Sequence, residues 1–269
     1  MKKTKLTEVA QKLKLSESEV LEKIKYIFQE HRPQPRIIHL TSNDELKYYN
    51  VVCKGIGNIK NEFGEFMEYA FHVDDRWKDY SVLVKAKQFD RNRMPIFESK
   101  DYFLTRFDSH CETQMLFGDK TCDCMEQLHM AMDLINQQGE GAIIHIKKHE
   151  GRGKGIASKL DQLSICHDLG IDTVVASLLR AELIEGIDTT LFTPTQIIDS
   201  RDFLGCVSIL KYFNVEKLIK LMLQTNNPMK MKALIENGYQ CEFFNIHTEL
   251  NEQNKHHIES KKLHLNHKY

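Results

Sequence analysis

Residues 125–155 read MEQLHMAMDLINQQGEGAIIHIKKHEGRGKG, and this stretch decides the fold class. Leu128, Met132 and Ile135 recur at helical spacing and the pattern stops at Gly139. The spacing predicts a helix over 125–138 with a glycine cap. Residues 142–146, Ala-Ile-Ile-His-Ile, form the short apolar run of a buried strand. A tight glycine-bearing loop at 151–155 leads into a second helical stretch near 156–169. Helix, buried strand, loop and helix in succession are the grammar of βα units.

Working outward, 65–73 and 80–86 read as strands, with Gly64 and Asp74-Asp75 as turn signals. A further strand is predicted at 218–223. It runs into Thr225-Asn226-Asn227-Pro228, where Asn227 is placed to cap a helix and Pro228 to open it. The body is therefore a mixed α/β (α+β) fold, strand-rich first and βα later. Residues 1–45 read as a small helical N-terminal extension, and 46–269 as the main domain. In the extension Val9, Leu13, Leu15, Val20, Ile24 and Ile27 suit one face of two short helices. Ser16 and Glu19 form a capping box between them, and a Pro-containing linker, 31–36, follows. Such a pair suits a helix-turn-helix or a packing extension. It carries no basic recognition face, which argues against DNA binding.

The 269 residues hold 37 Lys+Arg against 38 Asp+Glu, a formal net charge of −1, which argues against a general nucleic-acid binder. No apolar run approaches the ~18 residues of a membrane span, and the first residues lack the apolar core of a signal peptide. A cytoplasmic protein is expected. Seven cysteines in a reducing compartment point to metal binding or burial before disulfides. Cys111, Cys122 and Cys124 stand in a C-x10-C-x-C spacing, with Gly118-Asp119-Lys120 able to turn the chain back. Three thiolates match Zn²⁺, and three ligands leave a fourth position for water. A four-ligand structural site, closed by His110 or Asp123, and plain buried cysteines are the other readings of the spacing. Cys53, Cys166, Cys206 and Cys241 are read as buried thiols, and His145 and His149 as packing residues.

From Arg106 to Arg152 the chain resembles the GTP cyclohydrolase II family. The residues that carry the resemblance are Arg106, Ser109, Cys111, Cys122, Cys124, Gln127 and Glu150-Gly151-Arg152. It continues through Asp172-Thr173-Val174, Asp199-Ser200-Arg201-Asp202-Phe203 and Thr225-Asn226-Asn227-Pro228-Met229-Lys230. It reaches upstream to Phe63-Gly64-Glu65-Phe66 and downstream to Ser260-Lys261 and His264, covering about 50–269. The resemblance implies a mixed α/β homodimer using one Zn²⁺ per chain and Mg²⁺. The implied reaction is hydrolysis of GTP to 2,5-diamino-6-ribosylamino-4(3H)-pyrimidinone 5′-phosphate, formate and pyrophosphate, which opens riboflavin biosynthesis. It also implies that Cys111, Cys122 and Cys124 bind zinc. Arg106, Ser109, Gln127, Glu150, Gly151, Arg152, Thr173, Thr225 and Lys230 would contact the nucleotide. Arg201 corresponds to the family's proposed nucleophile toward phosphorus and Asp199 to its proton acceptor. An always-protonated guanidinium is a poor nucleophile, so Arg201 is better read as a clamp on developing phosphate charge.

The chain departs from the family pattern at Asp108 and His110, at Val175-Ala176-Ser177, and at Leu163, where the family has a Tyr. His110, beside Cys111, is the residue able to take over a proton-transfer role near neutral pH. The departures keep two alternatives open: a cyclohydrolase for another nucleotide, such as a uracil nucleotide, and a catalytically inactive nucleotide-sensing regulator. The retained cysteines and the Asp199/Arg201 pair count against the regulator.

Overall fold

The computed structural model describes residues 4–27, 32–99, 101–215, 220–246, 248 and 251–267. Two short helices come first, α1 (Lys5–Leu13) and α2 (Glu17–Lys25). The capping box is present: the Ser16 hydroxyl accepts from the Glu19 N–H, and the Glu19 carboxylate accepts from the Ser16 N–H at 2.6 Å. The single apolar face expected over both helices is not assembled. Ala10 and Val20 are buried, whereas Val9, Leu13, Ile24 and Ile27 are exposed. Each helix is only nine residues long, so pairing turns few of its positions inward.

The strands are β1 (Arg36–Ser42), β2 (Glu45–Asn61), β3 (Gly64–Val73), β4 (Asp79–Lys85), β5 (Gln88–Phe89), β6 (Pro95–Ile96), β7 (Tyr102–Ser109), β8 (Gly141–Ile146), β9 (Lys220–Gln224) and β10 (Cys241–Phe244). The remaining helices are α3 (Glu112–Phe117), α4 (Cys124–Gln138), α5 (Ile156–Leu169), α6 (Thr173–Leu183), α7 (Pro194–Ile198), α8 (Leu204–Tyr212), α9 (Pro228–Glu236) and α10 (Lys255–Leu265). Eight strands form one mixed sheet in the order β1-β2-β3-β4-β8-β7-β9-β10, and β5 and β6 pair separately. From β1 to β8 the neighbours are antiparallel; β8, β7, β9 and β10 run parallel. The fold is therefore mixed α/β.

Two sequence boundaries move. The sheet begins inside the 1–45 segment, because Arg36 pairs with Val51 and Ser42 with Glu45. The Arg36 guanidinium also donates to the Tyr212 carbonyl at 2.9 Å, which ties this strand to the body. The strand expected at 218–223 is described as Lys220–Gln224; residues 218 and 219, like His31 of the linker, lie outside the described residues.

β8 explains its apolar run by being covered on both faces. Ile143 meets Leu104, Ala131, Met132 and Ile135 on the α4 side. Ala142 and Ile144 join the larger cluster that includes Phe71, Phe107, Val207, Leu221 and Leu234 on the α8 and α9 side. α8 crosses very close to the β3–β4 turn: a Cβ on Gly205 would lie 2.0 Å from the Tyr80 Oη, so no side chain fits there. α6, α7 and α10 build a smaller cluster around Val174, Ala181, Ile197, Ile198 and Leu265. The parallel half fixes where a site can form, because the carboxyl ends of β7, β8 and β9 open on one edge, the usual location of ligands in such sheets.

Candidate active site

β7 ends at Ser109, and Cys111 stands at the N-terminal cap of α3. α3 stops at Gly118, whose φ of 69° lets the chain reverse. The return brings Cys122 back and Cys124 in as the first residue of α4. Gln114 holds the two arms together: its amide donates to the Cys122 carbonyl at 2.8 Å and its oxygen accepts from the Met125 N–H at 2.6 Å. The three sulfurs lie within 4.8 Å of one another, and Cys111 Sγ is 3.5 Å from Cys122 Sγ. Among the described residues, no other three His, Cys, Asp or Glu ligand atoms gather in this way.

Hydrogen bonds from Cys122 and Cys124 push the Cys111 thiol far down, and Lys159 adds to this against the opposing effect of burial. Cys122 is pushed up to about 12, first by its hydrogen bond to Cys111. The Lys159 ammonium sits 3.1 Å from the Cys111 sulfur and 2.9 Å from the Glu150 carboxylate. Three convergent sulfurs, those of Cys111 and Cys122 buried and that of Cys124 half-buried, fit the soft donor set that zinc prefers.

The polar wall lies beside them. Arg106, 3% exposed, donates to Asp108 at 2.9 Å, to the Gln224 carbonyl at 3.3 Å and to Gln127 at 3.2 Å. Arg201 grips both oxygens of Asp199, at 2.8 and 2.6 Å. Burial works to raise Asp199, but Arg201 outweighs it and holds the carboxyl below its usual range. The same pairing keeps the guanidinium protonated, consistent with a clamp. Arg152 reaches Ser177 at 3.0 Å and Thr173 at 3.5 Å, and burial brings it down to about 10. Lys230 donates to the Phe107 carbonyl at 2.6 Å. Burial, then repulsion from Arg106 and Arg201, lowers it to about 7. Asn227 caps α9, accepting from the Met229 N–H at 2.9 Å, so Thr225 and Lys230 flank a helix N-terminus as the sequence implied.

All the sequence-identified site residues except Asp199 line one cavity, and Asp199 stands behind Arg201. Leu163 lines it too. Lys159, which the sequence did not single out, also lines it, as do Lys261, quoted only within the resemblance, and His149, read as a packing residue. No spacing pattern marks a Lys on α5 or α10 as facing the cysteines; only the tertiary packing does. His149 is the packing residue expected, edge-on to Trp77 and Phe203, but its Nδ1 also lies 3.2 Å from the Ser109 hydroxyl. Burial, then Arg201 and Lys230, pushes it down to about 2, so it is neutral. Of the other cysteines, Cys53 and Cys206 are buried, while Cys166 and Cys241 are only half-buried.

His145 does more than pack. Its Nδ1 lies 2.8 Å from Asp108 Oδ2 and its Nε2 lies 3.2 Å from His110 Nδ1. Asp108 is fully buried; burial raises it, but Arg106 and His145 outweigh this and keep it ionised. A carboxylate only accepts, so His145 Nδ1 carries the hydrogen toward Asp108, and a single hydrogen bond joins the His145 and His110 rings. The two positions where the chain departs from the family pattern beside the metal loop, Asp108 and His110, are the two ends of this chain.

A family model described as GTP cyclohydrolase II matches residues 55–242. The chain belongs to the GTP cyclohydrolase II family. It is 32% identical over 180 residues to a GTP cyclohydrolase-2 of Picrophilus torridus, covering 67% of this chain and 79% of that one. It is 32% identical over 210 residues to the GTP cyclohydrolase-2 of Buchnera aphidicola subsp. Schizaphis graminum, covering 78% and 93%. The riboflavin biosynthesis protein RibBA of Parabacteroides distasonis is 30% identical over 224 residues, which span 82% of this chain but only 48% of that longer protein. Both helices of the N-terminal extension and all of α10 lie outside the part of the chain that the GTP cyclohydrolase II model matches. No described helix is long and apolar enough to cross a membrane.

Proposed function

We propose that this chain is a zinc-dependent GTP cyclohydrolase II that opens the guanine imidazole ring of GTP, releases formate and removes pyrophosphate. The observation that carries the reading is the single cavity in which the three cysteines face Arg106, Arg152, Arg201 and Lys230. Zinc held by Cys111, Cys122 and Cys124 supplies a Lewis acid for hydrolysis. The cations receive the triphosphate, which arrives with Mg²⁺. Arg201, aligned by Asp199, stabilises charge that develops as the bond to pyrophosphate breaks. His110, aligned by His145 and Asp108, exchanges a proton with the opening ring through Nε2. Leu163 leaves the family's Tyr position without a titratable group, which gives His110 that work.

The relatives named above carry no support for the uracil-nucleotide or regulatory alternatives. A cytoplasmic homodimer completes the assignment. The test is direct: purified protein with zinc and Mg²⁺ is offered GTP and UTP separately, and products are read by mass spectrometry. Formate and pyrophosphate from GTP alone are expected. Turnover of UTP, or of neither, overturns the assignment.

A further inference from the structure

We propose that Trp77 is a positioning residue for the phosphate side of this site: its indole N–H, donated to Asp202, sets the 199–203 loop so that Arg201 faces the cavity. The inference rests on the role given to Arg201 above. Trp77 is the chain's single tryptophan and is 3% exposed, yet it does not line the cavity. It sits on the turn between β3 and β4. Asp75 shapes that turn, accepting from the N–H groups of Trp77 at 2.9 Å and Lys78 at 2.7 Å and from the Tyr80 hydroxyl at 2.5 Å.

Three segments interlock at the indole. Its Nε1 donates to Asp202 Oδ2 at 2.9 Å. Its ring meets His149 edge-on, with centroids 4.4 Å apart. Gly153 lies against it with φ +82°, and a Cβ there would come within 2.7 Å of the indole and 2.9 Å of Ser200 Oγ. Arg76 stacks on the outer indole face at 4.8 Å and donates to the Ser200 carbonyl at 3.3 Å. The Ser200 N–H in turn donates to the Arg152 carbonyl at 3.1 Å. The loop that carries Asp199 and Arg201 is thus held from one side by the 149–153 segment and from the other by Trp77 and Arg76. An apolar ring would fill the same space. It could not donate to Asp202 Oδ2, whose partner across the turn is the indole N–H, and that bond fixes the loop's register against the turn, while Asp202 Oδ1 accepts from the Leu204 N–H within the loop's own segment.

The experiment compares Trp77→Phe, Asp202→Ala, the double variant, Asp202→Asn and Arg201→Ala as full-length, zinc-loaded protein with GTP and Mg²⁺. Pyrophosphate release, KM, zinc content and tryptophan emission are measured. A misplaced reacting group costs about tenfold or more, so Trp77→Phe and Asp202→Ala should each lower kcat by about that factor. KM should stay within about twofold and zinc content should be unchanged. Both remove the Trp77–Asp202 bond, and Asp202→Ala also removes the acceptor of the Leu204 N–H, so the double variant should be no slower than Asp202→Ala alone. Asp202→Asn, which keeps an acceptor oxygen, should restore most of the loss seen in Asp202→Ala. Emission should shift in Asp202→Ala, where the indole remains but its acceptor is gone. If the single variants keep wild-type kcat, or their losses multiply, while Arg201→Ala abolishes pyrophosphate release, the positioning role is overturned and the site reading stands. If Arg201→Ala releases pyrophosphate normally, the reading of the site fails, and the role of Trp77 with it.

Discussion

Lys230→Met should make the protein more stable at neutral pH while weakening its grip on the triphosphate. The Lys230 ammonium is 7% exposed and is brought from 10.5 down to about 7 by burial and by Arg106 and Arg201. Keeping it charged in the fold at neutral pH therefore costs about 4–5 kcal/mol relative to water. Methionine fills a similar volume without that cost but loses the hydrogen bond to the Phe107 carbonyl, worth about 1.5–3 kcal/mol. The net expectation is a gain of about 1–3 kcal/mol at pH 7. The pH dependence carries the sign. Between about 7 and 10.5 the unfolded chain holds the Lys230 proton and the folded chain does not. Wild-type stability therefore rises with pH in that window, and the variant's advantage shrinks by about 1.4 kcal/mol per pH unit. Urea unfolding of both proteins at pH 7 and pH 9 measures this. A variant less stable than wild type at pH 7, or a gap that does not narrow by pH 9, refutes the reasoning. Triphosphate affinity, measured by calorimetry, should fall by about tenfold or more.

Other outcomes follow from the same geometry. Metal analysis of the Cys122→Ser/Cys124→Ser double variant should find no zinc, against one per chain in wild type; undiminished zinc would remove the ligand assignment. His110→Gln should keep its zinc and lose roughly 10²–10⁴-fold in turnover. Retention of more than about a tenth of wild-type turnover would pass the proton-transfer role to solvent or Asp108. A chain beginning at residue 32 should stay folded and active by melting and turnover. The cut must precede Gln34, because the Tyr212 hydroxyl donates to the Gln34 carbonyl at 2.8 Å.

The parts of the fold with a strong local signal are legible in the amino-acid sequence alone. The helix at Ile156–Leu169, the Asn227 cap and the Ser16–Glu19 box all follow from short-range chemistry. The cysteines were legible because metal spacing is a local pattern that a turn at Gly118 can close. β1 was missed as part of the sheet because Pro33 and Pro35 dominate the reading of their neighbourhood, while the partner strand lies further on. Lys159 and His145 were missed for a different reason. Their roles exist only across elements, Lys159 from α5 to Cys111 and His145 from β8 to His110 just past the end of β7. A lone Lys on a helix or a lone His in an apolar strand reads as solvated or packed until the sheet order is known.

The arrangement of the parallel strands also bears on how the protein is made. The cavity joins the ends of β7, β8 and β9, and β9 is translated long after the other two. A nascent chain therefore carries its cysteine loop before Arg201, Thr225 and Lys230 exist to enclose it. Contacts so distant along the chain form late and slowly. Until β9 is made, the edge of the sheet at β7 is unpaired, the kind of exposed edge that makes unfinished chains prone to misassembly.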